Sequence, residues 1–512
     1  MYQQFDSDTI CAISTPSGVG GIAIIRVSGP EAFNIVDTIW RGRKLSEVTS
    51  HTAHLGDIID PENEEEPLDT AVATVFRAPR SFTGENVVEI SVHGSKWIQR
   101  ELLNLLIRRG CRMAGAGEFT RRAFANGRLD LAQAEAVADV IAASSRSAHR
   151  LAASQMRGDF SKHISELRDQ LVEIASLLEL ELDFSEEDVE FASRQHLKNL
   201  AEQLLTRISS LVSSFSTGSA LKEGVPVAII GEPNAGKSTL LNLLLNDNRA
   251  IVSDIPGTTR DTIEDTMEID GVLYRFIDTA GIRETTDAVE NLGIERSYTA
   301  ISKARIVIWL VTPDMPQDRF QAFRKSIAAH LPEGSNLIVA VNKIDTLHSS
   351  ACNRPINLVN GDSVGIDSTD DAMKDEKHVN ENFTTKTFGV SSMNPSFALF
   401  TESTSTTDTP LLYISASTGL NISSLLKLLH RYSGADESGN ADLIVTNARH
   451  YEALTHARSS LIRVINGIDT GLSGDFIAQD LRETIHHLSS ITGTITTDDL
   501  LKTIFERFCI GK

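Results

Sequence analysis

The sequence predicts a multidomain chain of α/β plus all-α character, with one α/β domain inserted into a discontinuous helical bundle. Three observations carry this. The apolar run Val225 to Ile230 enters the glycine loop Gly231-Glu232-Pro233-Asn234-Ala235-Gly236-Lys237-Ser238 and leaves it through a helix start, Ser238 to Leu244. Before that loop, Ile164, Leu167, Leu171, Ile174 and Leu178 recur at alternating three- and four-residue steps, the spacing of a helical packing seam. After the α/β stretch, helical patterning returns over 440–505.

Residues 1–121 read as a separate α/β domain. Thr9 to Ser14, Gly21 to Val27, Ala71 to Phe76 and Asn86 to Val92 are strand-like, and Trp97 to Arg109 carries apolar residues at helical spacing. The turn Thr15-Pro16-Ser17-Gly18-Val19-Gly20 lacks a Lys-Ser/Thr pair and a following helix, so it is a plain turn rather than a second phosphate loop. Arg26, Glu89 and His93 lie in or beside apolar strands, facing either solvent or a polar ligand; the residues alone favour solvent.

The helical domain reads as 122–217 and 435–512. Leu129-Asp130-Leu131-Ala132-Gln133-Ala134-Glu135-Ala136 opens a run of helix formers. The acidic stretch Asp183 to Glu190 predicts a solvated bend, and helix resumes to about Ser216. In the second part, Leu461, Ile462, Val464 and Ile465, then Phe476, Leu481, Ile485 and Leu488, predict amphipathic helices.

The inserted domain, 218–434, carries the chemistry. Its loop fits G-x-x-x-x-G-K-[ST], in which Gly231 and Gly236 let the backbone N–H groups curl around a phosphate. Lys237 reaches the β- and γ-phosphates, the Ser238 hydroxyl ligates Mg2+, and Asn234, Ala235, Gly236 and Thr239 complete the wrap. Four elements follow in the order of a Ras-like P-loop GTPase. The stretch Ser253-Asp254-Ile255-Pro256-Gly257-Thr258-Thr259-Arg260-Asp261 holds a first switch, whose threonine closes over Mg2+. Asp278-Thr279-Ala280-Gly281 is D-x-x-G, able to reach Mg2+ through water and to sense the γ-phosphate. Asn342-Lys343-Ile344-Asp345 is N-K-x-D, in which Asp345 accepts both N1–H and the 2-amino group of guanine; adenine offers neither. Ser415-Ala416-Ser417 completes the base pocket. GTP is therefore the expected substrate. Residues 347–410, rich in Ser, Thr, Asn and Asp, predict a largely disordered insertion between the last two elements.

Composition sets limits. Over 512 residues the chain is 41% hydrophobic and 23% charged, ordinary for a globular protein, with a net charge of -21 that excludes a surface coated in phosphate-neutralising charge. The densest basic run, Lys96, Arg100, Arg108, Arg109, Arg112, Arg121 and Arg122, is the candidate RNA surface, a solvated helix face being the alternative. Cys11, Cys111, Cys352 and Cys509 are scattered without a C-x-x-C pair, giving neither a zinc site nor a disulfide framework. With no apolar run long enough for a membrane and a polar start, a cytoplasmic protein is expected.

Gly257-Thr258-Thr259-Arg260-Asp261, the 129–136 stretch and the terminal Phe508-Cys509-Ile510-Gly511-Lys512 together resemble the MnmE (TrmE) family of tRNA-modification GTPases, over nearly the whole chain apart from the insertion. The resemblance implies an N-terminal tetrahydrofolate-binding and dimerisation domain, the discontinuous helical domain and an inserted G domain. It implies a homodimer that forms a heterotetramer with an MnmG-like FAD protein. Together they act on C5 of wobble uridine 34 of certain tRNAs, adding a carboxymethylaminomethyl-type group from a methylene-tetrahydrofolate carbon and glycine or ammonium. Position by position it implies formyl-tetrahydrofolate contacts at Arg26, Glu89, Arg128 and Lys512, Arg128 standing where a relative has lysine. It implies Mg2+ at Ser238 and Thr259, and K+ at Asn234, Ser253, Ile255 and Thr258. Cys509 matches a cysteine tied to modification activity; a small buried thiol is the other reading.

Ile282 follows D-x-x-G where Ras has its water-orienting glutamine, and its side chain cannot hydrogen-bond. The resemblance assigns catalysis to Lys237, to K+ held through Asn234 when two G domains meet, and to Glu290 as the water-orienting group. Arg260 or Arg283 acting as an arginine finger is the alternative. Two other functions fit parts of the chain. One is a regulatory or ribosome-assembly GTPase whose flanking domains only bind partners; the other is a free-standing folate enzyme in residues 1–121, for which no separate catalytic set is present.

Overall fold

The computed structural model describes residues 8–62, 66–183, 194–247, 265–277, 298–346, 409–435, 443–506, 508 and 510–511. The acidic bend beyond Asp183, the first switch, D-x-x-G, Glu290, the 347–408 part of the insertion, Cys509 and Lys512 lie outside the described residues. The chain divides into two compact units. One comprises Met1–Ala143, Ala148–Ser216 and Asn440–Lys512; the other comprises Ser144–Ser147 and Thr217–Gly439.

The first unit opens with a sheet of β1 (Ile10–Ile13), β2 (Gly20–Ser28), β3 (Trp40–Arg41), β4 (Thr52–Ile58), β5 (Asp69–Phe76), β6 (Val87–Gly94) and β7 (Arg112–Met113), in the order β3-β4-β5-β6-β2-β1-β7. Only β1 and β7 pair in parallel. Side chains alternate across a strand. Ile25, Val27, Ala71, Ala73, Val75, Val88, Ile90 and Val92 are therefore buried with residues of α1 (Ala32–Asp37) and α2 (Lys96–Arg108). The opposite face carries Ile22, Leu55 and Val72, exposed, with Leu55 and Val72 directly opposite each other. Strand β4 was not expected, because Thr52-Ala53-His54-Leu55-Gly56-Asp57-Ile58 has little β character. All seven residues are held by pairing with β5, so the partner strand decides the conformation. The widely spaced Cys11 and Cys111 are free, buried and share this core.

Helices α3 (Glu118–Ala125), α4 (Leu131–Ala142), α5 (Arg146–Arg157), α6 (Asp159–Asp183) and α7 (Arg194–Glu223) follow. Asp130 caps α4 in a reciprocal box with Gln133, which fixes where that helix begins. Helix α7 overruns the expected end at Ser216 by two turns. The stretch Ser213 to Ser219 is a poor helix former, but Ala220 and Leu221 beyond it are buried, and packing overrides propensity.

The second unit holds β8 (Val225–Gly231), α8 (Lys237–Asp247), β9 (Asp265–Ile269), β10 (Val272–Phe276), β11 (Ile306–Val311), α9 (Gln317–His330), β12 (Asn336–Val341), β13 (Leu411–Tyr413) and α10 (Ile422–Ser433). The strand order is β13-β12-β11-β8-β10-β9, with β9 antiparallel to β10 and the other pairs parallel. Chain order reverses beside β8, where open α/β sheets bind ligands at the carboxyl ends of their strands.

The chain then returns to the first unit through α11 (Ala448–Asp469), α12 (Gly474–Thr492) and α13 (Asp498–Phe505). The expected seam, Ile164, Leu167, Leu171, Ile174 and Leu178, is buried against Leu197, Leu204 and Ile208 of α7 and Leu461, Val464, Leu481 and Leu488 of α11 and α12. Ile462 and Phe476 are exposed and not part of the apolar face assigned to them; Ala457, Ile468 and Ile477 complete it instead.

Two polar features bind the first unit together. Glu135 of α4 accepts from Arg449 Nε at 2.9 Å and Nη2 at 2.8 Å and lies 2.8 Å from His450 Nε2; Arg449 also donates to the carbonyls of Ser490 and Ile491. At the end of the chain, Ile510 bridges to Ala116, and Ser14 Oγ donates to Gly511 O at 3.2 Å. Gly511 has a φ of 96°, and a Cβ there would lie 2.1 Å from Ile13 O, so only glycine permits this approach.

Candidate functional site

The glycine loop leaves β8 at Gly231 and enters α8 at Lys237. Asn234 takes a left-handed φ of 64° and Gly236 a φ of 97°, which curl the backbone into an anion-binding concavity ahead of a helix N-terminus. Lys237 Nζ donates to Gly231 O at 2.8 Å and Glu232 O at 2.9 Å, folding back over the loop. Burial pushes its ammonium below the usual lysine range, so an approaching phosphate restores a charge partner the loop lacks. Ser238 sits in the first turn of α8, where its hydroxyl suits a hard cation beside phosphates. Asn234 is exposed.

The expected base pocket falls at the ends of β12 and β13. Asn342 is buried, with Nδ2 donating to Ala235 O at 2.8 Å and Oδ1 accepting from Ala416 N at 2.9 Å. It therefore staples the glycine loop to the Ser415-Ala416-Ser417 loop. Lys343 takes a φ of 66°, and Asp345 follows with both carboxylate oxygens engaged. Ser415 Oγ donates to Oδ1 at 2.6 Å and Ser417 Oγ to Oδ2 at 3.1 Å. The Ser415 hydroxyl holds the carboxyl below its ordinary value, keeping it an acceptor. The structure thus brings together Asn234, Ala235, Gly236, Lys237, Ser238 and Thr239 with Asn342, Lys343, Asp345, Ser415, Ala416 and Ser417. Ser253 to Thr259 and Asp278 to Gly281 lie outside the described residues.

The staple gives a direct test. A Cβ on Gly236 would stand 2.2 Å from Asn342 Nδ2, at a φ that costs an L-residue about 1–2 kcal/mol. Gly236→Ala is expected to displace Asn342 and lower GTP affinity roughly 100-fold, about 2.7 kcal/mol, with the melting temperature lowered by only a few degrees. Nucleotide calorimetry beside a thermal melt checks this.

A second polar constellation lies on the face of the N-terminal sheet away from α2, partly covered, with the Arg26 and Glu89 side chains 18% and 25% exposed. Arg26 and Glu89 are direct cross-strand partners, with Nη2 to Oε1 at 2.8 Å and Nε to Oε1 at 2.9 Å. The Arg26 guanidinium lies over the rings of Phe82 and Phe119, 5.3 and 5.5 Å from their centroids. The stem of Arg128 packs 3.1 Å from the position of a Cβ on Gly84, two residues beyond Phe82. The chain's last described residue, Gly511, is tied to Ser14, whose N–H donates to Ile24 O two residues before Arg26. The resemblance points to Arg26, Glu89 and Arg128; Phe82 and Phe119 beside Arg26 were not expected, because nothing local marks an aromatic as the neighbour of a cation.

Six of the seven cations in the basic run are ion-paired, while the side chains of Arg100, Arg108, Arg112 and Arg121 stay 40–67% exposed. Arg122 is only 4% exposed and pairs with Asp8, Glu85 and Glu118. Arg112 pairs with Asp8 and Glu118, Arg108 and Arg109 with Asp60, Arg100 with Glu101, and Arg121 lies 3.9 Å from Glu118. The acids at 8, 60 and 85 come from distant sequence, so a window along the chain could not show the neutralisation.

Comparison with known proteins follows the same division. A family model described as GTP-binding protein TrmE N-terminus matches residues 9–128, and one described as MnmE helical domain matches residues 131–509. The tRNA modification GTPase MnmE of Parabacteroides distasonis is 50% identical over 509 residues, covering 98% of this chain and 100% of that protein. Those of Christiangramia forsetii and Bacteroides thetaiotaomicron are 47% and 46% identical, each covering 99% of this chain and 99% and 100% of their own lengths.

Proposed function

This chain belongs to the MnmE family of tRNA modification GTPases, and we propose that it couples GTP hydrolysis to a folate-dependent modification at C5 of wobble uridine 34. It does so in the cytoplasm as a homodimer, in a heterotetramer with an MnmG-like FAD protein, on certain tRNAs. Among the described residues no helix is long and apolar enough to cross a membrane.

One observation supports the folate half above the others. The C-terminal Ile510 and Gly511 are stitched to Ala116 and Ser14, which brings the end of the chain to the domain holding Arg26 and Glu89. A carboxylate such as Glu89 accepts from a pterin's N–H groups, while Arg26, Arg128 and Lys512 suit a formyl oxygen or glutamate tail. Phe82, partly exposed, gives the site an apolar wall, while buried Phe119 packs against the Arg26 guanidinium. A reduced folate supplies the carbon unit; the chain's own residues bind and orient it. The exposed apolar residues Ile22, Leu55 and Val72 on the same sheet face support a dimer that covers the site. Calorimetry tests this: Glu89→Ala is expected to weaken 5-formyl-tetrahydrofolate binding at least about tenfold, the worth of one charge-assisted hydrogen bond. Undiminished affinity removes the assignment.

In the G domain, Lys237 and the loop amides hold the phosphates, and Ser238 with Thr259 would hold Mg2+, which would supply positive charge to the phosphates. Asn234, exposed beside the loop, together with Ser253, Ile255 and Thr258 would hold K+, a second positive charge at the transferring group. Glu290 orients the attacking water, the task that Ile282 cannot perform. Hydrolysis is expected to run on the order of tenfold faster in K+ than in Na+. Glu290→Ala should lower kcat and leave GTP affinity in place. Equal rates in the two salts, with loss of activity in Arg260→Ala or Arg283→Ala, would replace this mechanism by an arginine finger. Cys509 is proposed to serve the modification rather than the fold.

A further inference from the structure

We propose that His93, oriented by Asp69, is the base that deprotonates the amine joined to the folate-borne carbon; this rests on the folate reading of the Arg26–Glu89 site. The dyad is geometric. Asp69 accepts from His93 on both of its oxygens, from Nδ1 at 2.7 Å and from the backbone N at 2.8 Å. A carboxylate only accepts, so the ring proton sits on Nδ1 and the Nε2 lone pair points away. The side chain of Asp69 is 8% exposed, that of His93 71%. The backbone bond alone would close the end of strand β6. The second bond, to the ring, fixes a tautomer and an orientation, which an exposed imidazole bonded to water does not need. A carboxylate behind an imidazole whose far nitrogen is presented outward is the orienting half of general-base catalysis.

Its place in the sheet gives the dyad an object. Glu89 and His93 lie on one strand and one face, four residues or about 13 Å apart. The N–H edge of a pterin that Glu89 would read lies across the ring system from the nitrogens that carry the one-carbon unit. A carboxylate at one end and a base beyond the other is the arrangement that chemistry requires. Beside His93, β2 enters with a bulge between Gly20 and Ile22, and a Cβ on Gly21 would meet nothing within 4 Å, which leaves room for a small amine. Glycine or ammonium arrives protonated. The N–H bond breaks, its electron pair stays on the amine nitrogen, and the proton bonds to Nε2, giving imidazolium held by Asp69. The freed lone pair can then attack an electrophilic carbon.

The test uses the full-length protein with its flavoprotein partner, substrate tRNA, methylene-tetrahydrofolate and glycine, reading modified nucleoside in a single turnover. His93→Gln is expected to slow the reaction about 100-fold or more, with 5-formyl-tetrahydrofolate affinity within about twofold of wild type. Added imidazole should restore part of the rate in His93→Ala, and Asp69→Glu should recover more than Asp69→Asn. A readout independent of turnover is carbethoxylation of His93 by diethyl pyrocarbonate, followed by mass spectrometry, which Asp69→Asn should slow severalfold. A wild-type rate in His93→Gln, no imidazole rescue, or equal carbethoxylation in Asp69→Asn overturns the proposal. A loss of folate affinity equal to the loss of rate also overturns it, by making His93 a binding residue. If the wild-type protein binds no folate, the underlying reading falls and takes the role of His93 with it, while the carbethoxylation result alone still decides whether Asp69 orients the ring.

Discussion

Asp345→Asn is expected to lower GDP and GTP affinity on the order of 10³-fold and to raise affinity for xanthosine nucleotides. Two hydrogen bonds from guanine to a charged acceptor contribute about 1.5–3 kcal/mol each, and each 1.4 kcal/mol is a factor of ten. The geometry makes this a change of base preference rather than of fold. Ser415 and Ser417 hold the carboxylate from both sides, and the Ser415 hydroxyl keeps the carboxyl below its ordinary value. An asparagine of the same shape keeps the Ser415 or Ser417 contact by rotation of a hydroxyl, but offers guanine's 2-amino group a donor against a donor. Xanthine's 2-oxo group then meets the new N–H. Titration calorimetry with GDP and XDP measures both halves. Retained GDP affinity would show that the base is read elsewhere.

Arg449→Leu is expected to destabilise the first unit by about 3–5 kcal/mol, because it leaves Glu135 buried without its fork of donors. Burial pushes the Glu135 carboxyl up, but His450 and Arg449 outweigh it and bring it from 4.5 down to about 2. A carboxyl depressed in the folded state contributes stability above its unfolded value and loses it as pH falls through the folded value. The contribution is therefore full above about pH 4.5 and gone near pH 2. The wild-type advantage over Arg449→Leu should be widest at pH 7 and narrow below pH 4.5, where protonation relieves the variant's carboxylate, which keeps His450 but has lost the guanidinium. Urea unfolding followed by far-UV circular dichroism at pH 7, 5 and 3 reads the trend. A pH-independent gap would mean that Arg449 acts through its bonds to the Ser490 and Ile491 carbonyls alone.

Much of the candidate nucleotide site was legible because its parts are local. A glycine loop between a strand and a helix, N-K-x-D at a strand end and a serine loop each declare themselves within eight residues. The helical seam was legible for a similar reason, since a period of three and four residues is a property of the chain itself. Its later members were less so. Ile462 and Phe476 look like their buried neighbours, but each stands one residue off the rows that the bundle covers, Leu461, Val464, Ile465 and Ile468 in α11 and Ile477, Leu481 and Leu488 in α12. Strand β4 failed for the opposite reason: its sequence is weak, and its partner supplies the conformation.

By itself the sequence determined the elements whose chemistry is continuous along the chain: the phosphate loop, the guanine motif, the return to helix after an inserted domain and the family those motifs resemble. Only the tertiary structure decided which distant charges meet. Arg122 reads as part of a basic surface until Asp8 and Glu85 arrive from elsewhere to bury it. Arg26 and Glu89, 63 residues apart, become one ion pair through the register of β2 on β6. His93 reads as a solvated strand-end residue until Asp69 fixes its ring. The physical reason is one of range. Backbone geometry and apolar periodicity act within a few residues, whereas an ion pair or an oriented imidazole depends on a partner set by strand pairing across the fold.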